Sequence, residues 1–457
     1  MKIFITYDFL TTQRFIGKRG LANFDFLVEI LAKLGVQVTL DTDVKRLFPI
    51  EQFYANHGKV YSEKMLNYIE PDRYCDKSKQ LIFDYIASND LLIGFELSEV
   101  TRGYFDQIGV KYLDVWVSPI RFCKDLLFSC YSNVFHIQEL IGKYQESNEA
   151  FKLEANLLAG YCQNFSSSNL QIEAESALII GQLFVDKACQ KGDEFLSLID
   201  FKAQVIELSY SYRYLYLLKH PLMSAGDFSL VIDALADVDN LVYLEQQNVY
   251  ELLSNKNIKA VVALSSSVLK EAEFFNKEVV YLYRPTLGSE HKHIYQAFFN
   301  AKFWTEILDL NHRKDNWVYY HCDNYLRKKF NAYYAYGKFV SHMFAPSHLQ
   351  RIESAYDAVV AVGRKLQSLN ADSNYVLYGF GTVGRLVLPL IRDRISAIID
   401  KSLSEQNLTK YDNIPVISIA ELKQGDQVII ASFKYQHEIL IGLQQQNADL
   451  DVICLYE

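Results

Sequence analysis

Short apolar runs recur along the whole chain, and longer stretches with helical spacing of apolar residues separate them. Such runs predict buried strands, and their alternation with helices predicts α/β domains built on parallel sheets. Amphipathic stretches at 24–34 and 268–275 predict helices, and the start of the chain predicts a first strand. The other predicted strands are Leu91–Gly94, Ala177–Gly181, Leu241–Leu244, Ala260–Leu264, Val279–Tyr283, Tyr375–Tyr378, Ala397–Asp400 and Val428–Ala431.

The same pattern divides the chain into four segments. A first block at 1–165 ends in a polar, serine-rich stretch, and a second block at 166–325 contains the clearest strand–helix units. A helical, aromatic and basic segment at 326–370 leads to a compact block at 371–457. These segments predict two Rossmann-like domains, a helical crossover and a small Rossmann-like module. In such a pair of domains the ligand site lies at the carboxyl ends of the strands.

Charge and cysteine content narrow the classes of function. The net charge of -9 argues against a broad cationic surface for nucleic acid, because duplex binding depends on phosphate neutralisation by Lys and Arg, and leaves room only for a local basic patch. The seven cysteines show no paired or zinc-binding spacing, which indicates reduced thiols. No apolar stretch is long enough to span a bilayer, and the first residues resemble a strand rather than a signal peptide. We therefore expect a cytoplasmic protein.

The first candidate feature of the second block follows the strand at 177–181. Gln182 and Asp186 come directly after this strand, at the position where α/β proteins place catalytic groups. The structural alternative is that Asp186 caps a helix.

A second candidate is the pair His220-Pro221, which follows an aromatic run. An imidazole can donate a hydrogen bond to a phosphate oxygen, and a nearby anion favours its protonated form. Proline would fix the turn beside it, although a His-Pro pair also occurs in ordinary turns.

A third candidate lies between the strand at 260–264 and the following helix. Ser265, Ser266 and Ser267 supply hydroxyls there, and backbone N–H groups at a helix start can bind an anion. No Glu or Gln stands three residues after any of these serines, so the partner of a capping box is missing. Helix capping by serine remains the structural alternative. Glu271, one turn into the helix, would reach a ribose hydroxyl or face solvent.

These features, in this order, resemble the bacterial CMP-sugar glycosyltransferases of GT-B type. The likeness is greatest to the retaining β-Kdo transferases of capsule and lipopolysaccharide assembly, and it extends over roughly residues 90 to 290. The resemblance implies that His220, Pro221 and Ser266 or Ser267 hold the CMP phosphate of the donor. One departure is the segment after the serines, which lacks the glycine frequent in that family. The matching positions are Gln182, Asp186, His220-Pro221, Ser266 or Ser267, and Glu271-Ala272.

The first block supplies candidate carboxylates for the acceptor side. Glu96 follows the strand at 91–94, and Glu99 is the second candidate. The resemblance places a first-domain glutamate in the catalytic centre, where it could deprotonate an acceptor hydroxyl. The alternative is a glutamate favoured by the helix dipole at a helix start. Arg121, in the segment Ser118-Pro119-Ile120-Arg121-Phe122, would pair with a sugar carboxylate, a phosphate or a structural partner.

A reaction scheme follows from the resemblance. In this scheme Kdo is transferred from CMP with retention of its anomeric configuration. Double displacement explains the retention, with Asp186 as the nucleophile and Glu96 as the base. The scheme requires no metal and no further cofactor, since the CMP-sugar is a donor substrate. Asp41-Thr42-Asp43 lies in the first block, away from the donor motifs, and predicts a loop or helix cap. The acceptor would be a saccharide or glycolipid of the cell surface.

The third block carries a different motif. Its strand at 375–378 runs into a G-x-G-x-x-G pattern of Gly379, Gly381 and Gly384, and Asp400 ends the next strand. This context matches a dinucleotide fingerprint, but the block is only half of a usual dinucleotide fold. Nucleotide binding, partner docking and a tight turn without ligand all remain open.

Three functions therefore compete. The first is a retaining Kdo transferase, the second an inverting transferase similar to bacterial sialyltransferases, and the third a nucleotide-binding scaffold or NAD(P) oxidoreductase acting through the third block. Aromatic and basic residues at 317–334 also suit peripheral membrane contact, with a packed crossover helix as the alternative. His291 and His293 are interpreted as surface or substrate-edge residues rather than metal ligands.

Overall fold

A computed structural model gives the fold. It describes residues 1–12, 14–43, 47–61, 75–86, 89–123, 125–165, 170–192, 194–245, 247–310, 316–320, 325–334, 365–366, 369–370, 372–432, 435–446 and 450–455. The chain forms two compact units. The larger contains Met1–Phe151, Ile172–Gln246 and Asn257–Phe339, and the smaller contains Lys152–Gln171, Gln247–Lys256 and Val340–Glu457.

The larger unit contains two sheets, and the first has six strands in the order β13-β5-β4-β3-β1-β2. Strands β1 to β4 are parallel, whereas β5 and β13 add an antiparallel edge. The chain thus returns to the first sheet after it has completed the second. The strands are β1 (Lys2–Tyr7), β2 (Gln37–Leu40), β3 (Leu91–Phe95), β4 (Tyr112–Val117), β5 (Phe128–Ser132) and β13 (Lys292–Ile294).

The helices before the second sheet are short and amphipathic, as the surface of an α/β sheet requires. In α2, for example, Phe26, Leu27, Ile30 and Leu31 are buried on one face. These helices are α1 (Arg14–Leu21), α2 (Asp25–Lys33), α3 (Ile50–Ala55), α4 (Asp76–Ile86), α5 (Glu99–Ile108), α6 (Phe135–Lys143) and α7 (Asn148–Phe165).

The second sheet is wholly parallel, with five strands in the order β10-β9-β6-β11-β12. Its central strands are apolar because helices cover both faces. A two-stranded hairpin, β7 (Gln190–Lys191) and β8 (Glu194–Phe195), projects from the connection after β6. The remaining strands are β6 (Ser176–Ile180), β9 (Tyr214–Leu218), β10 (Leu241–Leu244), β11 (Ile258–Ala263) and β12 (Glu278–Tyr281). The helices that follow β6 in the chain are α8 (Lys202–Ser211), α9 (Ala225–Ala234), α10 (Val249–Ser254), which belongs to the smaller unit, α11 (Ser267–Phe274), α12 (Ala301–Ile307) and α13 (Tyr325–Tyr334).

Much of the aromatic content is buried beside the first sheet. Phe128 on β5 lies 4.4 Å from Phe298 between ring centroids, and Phe24 meets Phe330 of α13 edge-on at 5.6 Å. Tilted and edge-to-face pairs of this kind stabilise a core beyond the area they bury. The aromatic segment predicted as a crossover or membrane-facing stretch therefore packs partly on the first sheet. Residues 335–364 lie outside the described part of the chain.

The smaller unit carries a four-stranded parallel sheet in the order β15-β14-β18-β19. Its buried core includes Tyr375, Leu377, Val387 and Ile429. The elements are β14 (Tyr375–Tyr378), α14 (Thr382–Ile391), β15 (Ile395–Ile399), α15 (Lys401–Glu405), β16 (Lys410–Tyr411), β17 (Ile414–Pro415), β18 (Gln427–Ile430), α16 (Gln436–Gln446) and β19 (Asp451–Cys454).

The predicted fold class is confirmed. The chain is an α/β protein with two Rossmann-like sheets in one unit, as in GT-B proteins, and a small Rossmann-like sheet in the other. The limits predicted for the four segments stay predictions. Among the described residues, no helix combines the length and apolar composition needed to cross a bilayer.

Candidate functional site

The three motifs of the second sheet follow three adjacent strands. Strand β6 lies between β9 and β11, and all three are parallel. The residues after their carboxyl ends therefore share one edge of the sheet. Gly181 permits this closeness, since a Cβ at its position would lie 2.8 Å from the carbonyl oxygen of Leu218 and 3.3 Å from the nitrogen of His220. A larger residue would push the first motif away from the second.

Gln182 joins the first motif to the third. Its side-chain oxygen Oε1 accepts a hydrogen bond from the backbone N–H of Ser265 at 2.8 Å. Its Nε2 donates to Oδ2 of Asp186 at 3.3 Å. One half-buried amide thereby fixes both the start of the serine segment and the predicted nucleophile.

Asp186 caps a single turn of 3-10 helix, Lys187–Cys189. Its Oδ1 accepts the backbone N–H of Ala188 at 2.9 Å. The capping role considered as the structural alternative is thus present. It does not use up the carboxylate, because each carboxylate oxygen can accept more than one hydrogen bond. The side chain is half-buried beside Gln182.

His220 is held in one tautomer by the turn that follows it. Its Nδ1 accepts the backbone N–H of Leu222 at 3.1 Å, which assigns the proton of the neutral ring to Nε2. Burial lowers the pKa of His220, an effect that the Asp186 carboxylate opposes and the Arg121 guanidinium reinforces. The imidazole, the carboxylate and the guanidinium therefore lie within electrostatic range of one another. Pro221 is exposed in the same turn.

The three serines have different roles. Ser265 is buried, and its hydroxyl donates to the carbonyl of Arg284 at 2.5 Å. Ser266 caps α11 by accepting the N–H of Val268 at 3.3 Å. Ser267 is the first helical residue, and within the described part of the chain its half-buried hydroxyl has no hydrogen-bond partner.

Glu271 and Arg121 connect the two sheets. Glu271 is only 2% exposed, and its Oε1 accepts the backbone N–H of Arg121 at 2.7 Å. The carbonyl of Arg121 in turn accepts from Arg327 of α13 at 2.5 Å. The glutamate expected to reach a ribose or solvent is thus engaged with the segment after β4, and Arg121 is held beside His220.

Glu96 adopts a left-handed backbone conformation at the end of β3, with φ of 53°. This conformation costs a non-glycine residue about 1–2 kcal/mol, and such strain occurs most often at functional sites. Its backbone N–H still donates to the carbonyl of Val115 at 3.0 Å. The side chain is half-buried. The better of the two predicted acceptor carboxylates therefore stands on a strained turn.

Glu99 occupies a different environment. It begins α5, which Ser98 caps, and its Oε2 lies 2.6 Å from Nη1 of Arg284. The two side chains are 71% and 43% exposed, so the pair contributes little to stability. Glu99 thus has a surface partner from the second sheet.

Sequence reasoning missed a buried ion pair between the sheets. Asp8, directly after β1, is fully buried, and Lys187 reaches its Oδ2 at 2.9 Å. Burial alone would raise the pKa of Asp8, but the Lys187 charge and hydrogen bonds from Lys187, Thr11 and Thr101 outweigh it and lower the pKa to about 2. The available signals were an aspartate at the end of the first strand and a lysine next to Asp186.

The interpretation of His291 as a surface or substrate-edge residue is wrong. Pairing of β13 with β5 buries it to 4% exposure. Its Nε2 lies 2.8 Å from Nη1 of Arg102 and 3.3 Å from Oδ2 of Asp114. His293 is also largely buried, which is the main reason that its pKa falls to about 4, and nearby positive charges add to the shift. Its Nδ1 lies 2.8 Å from Oγ of Ser129 and 3.1 Å from Oγ of Ser118.

Asp41 lies in a 3-10 turn and is buried against Thr6 and Tyr85. This position agrees with the expected loop or cap. Among the described residues, no three or more His, Cys, Asp or Glu side chains are grouped to hold a metal ion.

The glycine motif of the smaller unit forms a tight strand–helix turn. Gly379 has φ of 94°, and a Cβ on Gly384 would lie 2.0 Å from the Gly379 carbonyl. Gly381 precedes α14 and has open space around it. Asp400 caps α15 and also accepts the N–H of Phe380 at 2.7 Å. The acidic residue of the fingerprint is thus bonded to the turn itself.

No protein-family model matches the sequence, and no curated protein matches it. Among solved structures, the chain is similar to a KpsC β-Kdo 2,7 transferase of Thermosulfurimonas dismutans, at 11% identity over 63% of this chain and 81% of that chain, with a TM-score of 0.35. It is also similar to a KpsC β-Kdo 2,4 transferase of the same organism, at 12% identity, equal coverage and a TM-score of 0.32. A UDP-GlcNAc 2-epimerase of Neisseria meningitidis shares 10% identity over 62% of this chain and 82% of that chain, with a TM-score of 0.25. The likeness is distant and concerns the general fold.

Proposed function

We propose that this protein is a glycosyltransferase that moves Kdo or a related acidic sugar from CMP to a surface-polysaccharide acceptor. The observation that carries the proposal is the gathering of Gln182, Asp186, His220 and the serine segment at one sheet edge. An anionic nucleotide phosphate suits such an edge, which carries an imidazole N–H, a hydroxyl and a guanidinium.

The donor side supplies charge stabilisation. His220 donates from Nε2 to the phosphate, and Ser267 offers the hydroxyl that capping leaves available. Arg121 is held by its backbone and neighbours His220 electrostatically, so its guanidinium pairs with the sugar carboxylate or the phosphate. These contacts strengthen as the phosphate leaves, because its negative charge becomes localised on the departing oxygen.

The reaction proceeds in two displacements. Asp186 attacks the anomeric carbon, the bond from that carbon to the phosphate oxygen breaks, and CMP leaves with the electron pair. The acceptor hydroxyl then attacks the same carbon, the bond to Asp186 breaks, and Glu96 takes the hydroxyl proton. The products are the glycoside and CMP, with one proton released. The anomeric configuration is retained because it is inverted twice.

A mass measurement after mixing with CMP-Kdo tests this scheme. A Kdo adduct on the peptide that contains Asp186 supports double displacement, and its absence together with an inverted product would indicate a single displacement. Asp186→Ala is expected to lower turnover at least about a thousandfold, because it removes the nucleophile. Turnover close to that of the wild type in this variant would overturn the scheme.

Thermal-shift measurements with CMP, CDP, UDP, NAD and NADP distinguish a CMP-sugar transferase from a protein that binds a dinucleotide. Stabilisation by CMP and not by NAD supports the transferase. Stabilisation by NAD or NADP alone, lost in a Gly381→Val variant, would instead assign nucleotide binding to the smaller unit and refute the proposal.

A further inference from the structure

The ammonium group of Lys187 is saturated with acceptors from the first sheet. Its Nζ lies 2.9 Å from Oδ2 of Asp8, 3.1 Å from Oγ1 of Thr12 and 3.3 Å from the carbonyl oxygen of Glu96. An ammonium has three N–H donors, and here each has an oxygen within hydrogen-bond distance. Lys187 is thus arranged to hold two segments together rather than to transfer a proton.

The second sheet presents Lys187 from the turn that Asp186 caps. The two residues are adjacent, and Asp186 accepts the N–H of Ala188 at 2.9 Å, which fixes the turn Lys187–Cys189. Any displacement of the lysine backbone therefore moves the aspartate. Gln182 supports the same turn from the strand side.

The first sheet presents the strained turn around Glu96. The N–H of Leu97 donates to buried Asp114 at 3.0 Å, and the N–H of Ser98 donates to buried Asp8 at 2.9 Å. The carbonyl of Glu96 accepts from Lys187. Three consecutive residues are therefore held by charged side chains, of which Asp114 and Asp8 are buried, and Asp8 bonds both this turn and the lysine.

We propose that Lys187 is a positioning residue that fixes the Asp186 turn against the Glu96 turn. The inference depends on the proposed function, because it assigns those two carboxylates to the two displacement steps. The ion pair is buried on the aspartate side, with side-chain exposures of 29% for Lys187 and 0% for Asp8. Such a pair is little screened by salt and is geometrically specific.

The test uses the double variant Lys187→Met/Asp8→Asn in the full chain, compared with Asp8→Asn alone. Lys187→Met by itself is not the test, because it would leave the buried Asp8 carboxylate without its counter-charge, which is strongly destabilising. The double variant removes both charges and approximately keeps the shapes of the two side chains. Asp8→Asn alone retains the ammonium group of Lys187. Lys202→Met is the matched control, because Lys202 forms an exposed ion pair with Asp237 in the same unit.

The first readout is amide hydrogen exchange, which needs no substrate. We expect the peptide covering 94–98 to exchange at least about tenfold faster in the double variant than in Asp8→Asn. Lys202→Met should exchange like the wild type there. Equal exchange in the double and single variants would overturn the positioning role, whatever the activity.

The second readout is steady-state transfer from CMP-Kdo. Positioning predicts that kcat falls at least about thirtyfold in the double variant, whereas KM for the donor changes less than about threefold. The conservative variant Lys187→Arg keeps a positive charge beside Asp8, and its kcat should lie between those of the double variant and the wild type. A fall in melting temperature with unchanged kcat would show that the lysine is structural only. If the wild type transfers no sugar from CMP-Kdo, the proposed function fails, and the exchange measurement alone decides whether Lys187 holds the two turns.

Discussion

The side-chain oxygen of Gln182 accepts the backbone N–H of Ser265 at 2.8 Å. This bond links the segment after β6 to the segment after β11, and the same amide donates to Asp186. A single residue thus couples the proposed nucleophile to the proposed phosphate site. The contribution of Gln182 to CMP binding can be measured separately from its contribution to the stability of the protein.

Gln182→Leu is expected to destabilise the protein by about 1–3 kcal/mol, because it leaves the Ser265 N–H unpaired. It should also weaken CMP binding, since the serine segment loses its support. Gln138→Leu is the matched control. Gln138 accepts the N–H of Ser132 at 2.9 Å in the first sheet, away from the donor motifs.

Urea denaturation and CMP titration check this pair of variants. The prediction is a similar loss of stability in both and a loss of CMP affinity in Gln182→Leu alone. Equal CMP affinity in the two variants would contradict it.

The two ring nitrogens of His220 can be tested separately. Asn at 220 keeps an acceptor near the position of Nδ1, which Leu222 requires, and Gln keeps a donor near Nε2. His220→Asn is expected to lose about 1.5–3 kcal/mol of CMP binding, the usual value of a charge-assisted hydrogen bond. His220→Gln should lose less.

Calorimetric titration with CMP gives both affinities. His437→Asn, an exposed histidine in the smaller unit, is the control that should bind like the wild type. Tighter binding by His220→Asn than by His220→Gln would show that the donor at Nε2 is not what holds the phosphate.

The strands could be predicted from the sequence because of the way parallel sheets are buried. The strands at 241–244 and 375–378 have the predicted bounds, and the other predicted strands differ by only a few residues. Buried parallel strands are continuous apolar runs, which are visible in sequence. The sequence placed each motif after an apolar or aromatic run, and the structure adds that β6, β9 and β11 are parallel neighbours whose carboxyl ends share one edge.

Other features leave little trace in the sequence. Asp8 and Lys187 are 179 positions apart, and the local pattern does not indicate which loops meet. The three-residue strand β13 is too short for a periodic signal, so its return to the first sheet and the burial of His291 were missed. The left-handed turn at Glu96 was equally hidden, because glutamate has no preference for it.

His293 makes stability depend on pH. Its pKa is lowered from 6.5 to about 4, so the folded state favours the neutral ring. The stabilisation is complete above pH 6.5 and is lost as the pH falls toward 4, because the unfolded chain takes up the proton first. We expect a loss of about 2 kcal/mol between about pH 7.5 and about pH 5.

Urea midpoints at these two pH values test the assignment. His293→Asn keeps an oxygen that can accept from Ser118 and Ser129 but does not titrate, so its pH dependence should be smaller. His136→Asn, on the exposed face of α6, should retain the dependence of the wild type. An unchanged slope in His293→Asn would assign the effect to other groups.

The strained backbone of Glu96 predicts a conflict between stability and activity. Glycine adopts φ of 53° without the clash of a Cβ, but its unfolded chain has more entropy to lose. Glu96→Gly is therefore expected to leave stability unchanged or raise it by about 1 kcal/mol, while transfer falls at least about a hundredfold for want of the base. Glu96→Gln should lose activity similarly without the gain in stability. Asn276→Gly is the control, because Asn276 has φ of 56° and lies exposed after α11, so it should show the stability change alone. Thermal denaturation and initial transfer rates of the wild type and the three variants test this prediction. Retained transfer in Glu96→Gly would remove Glu96 from the reaction and leave its strain without a catalytic purpose.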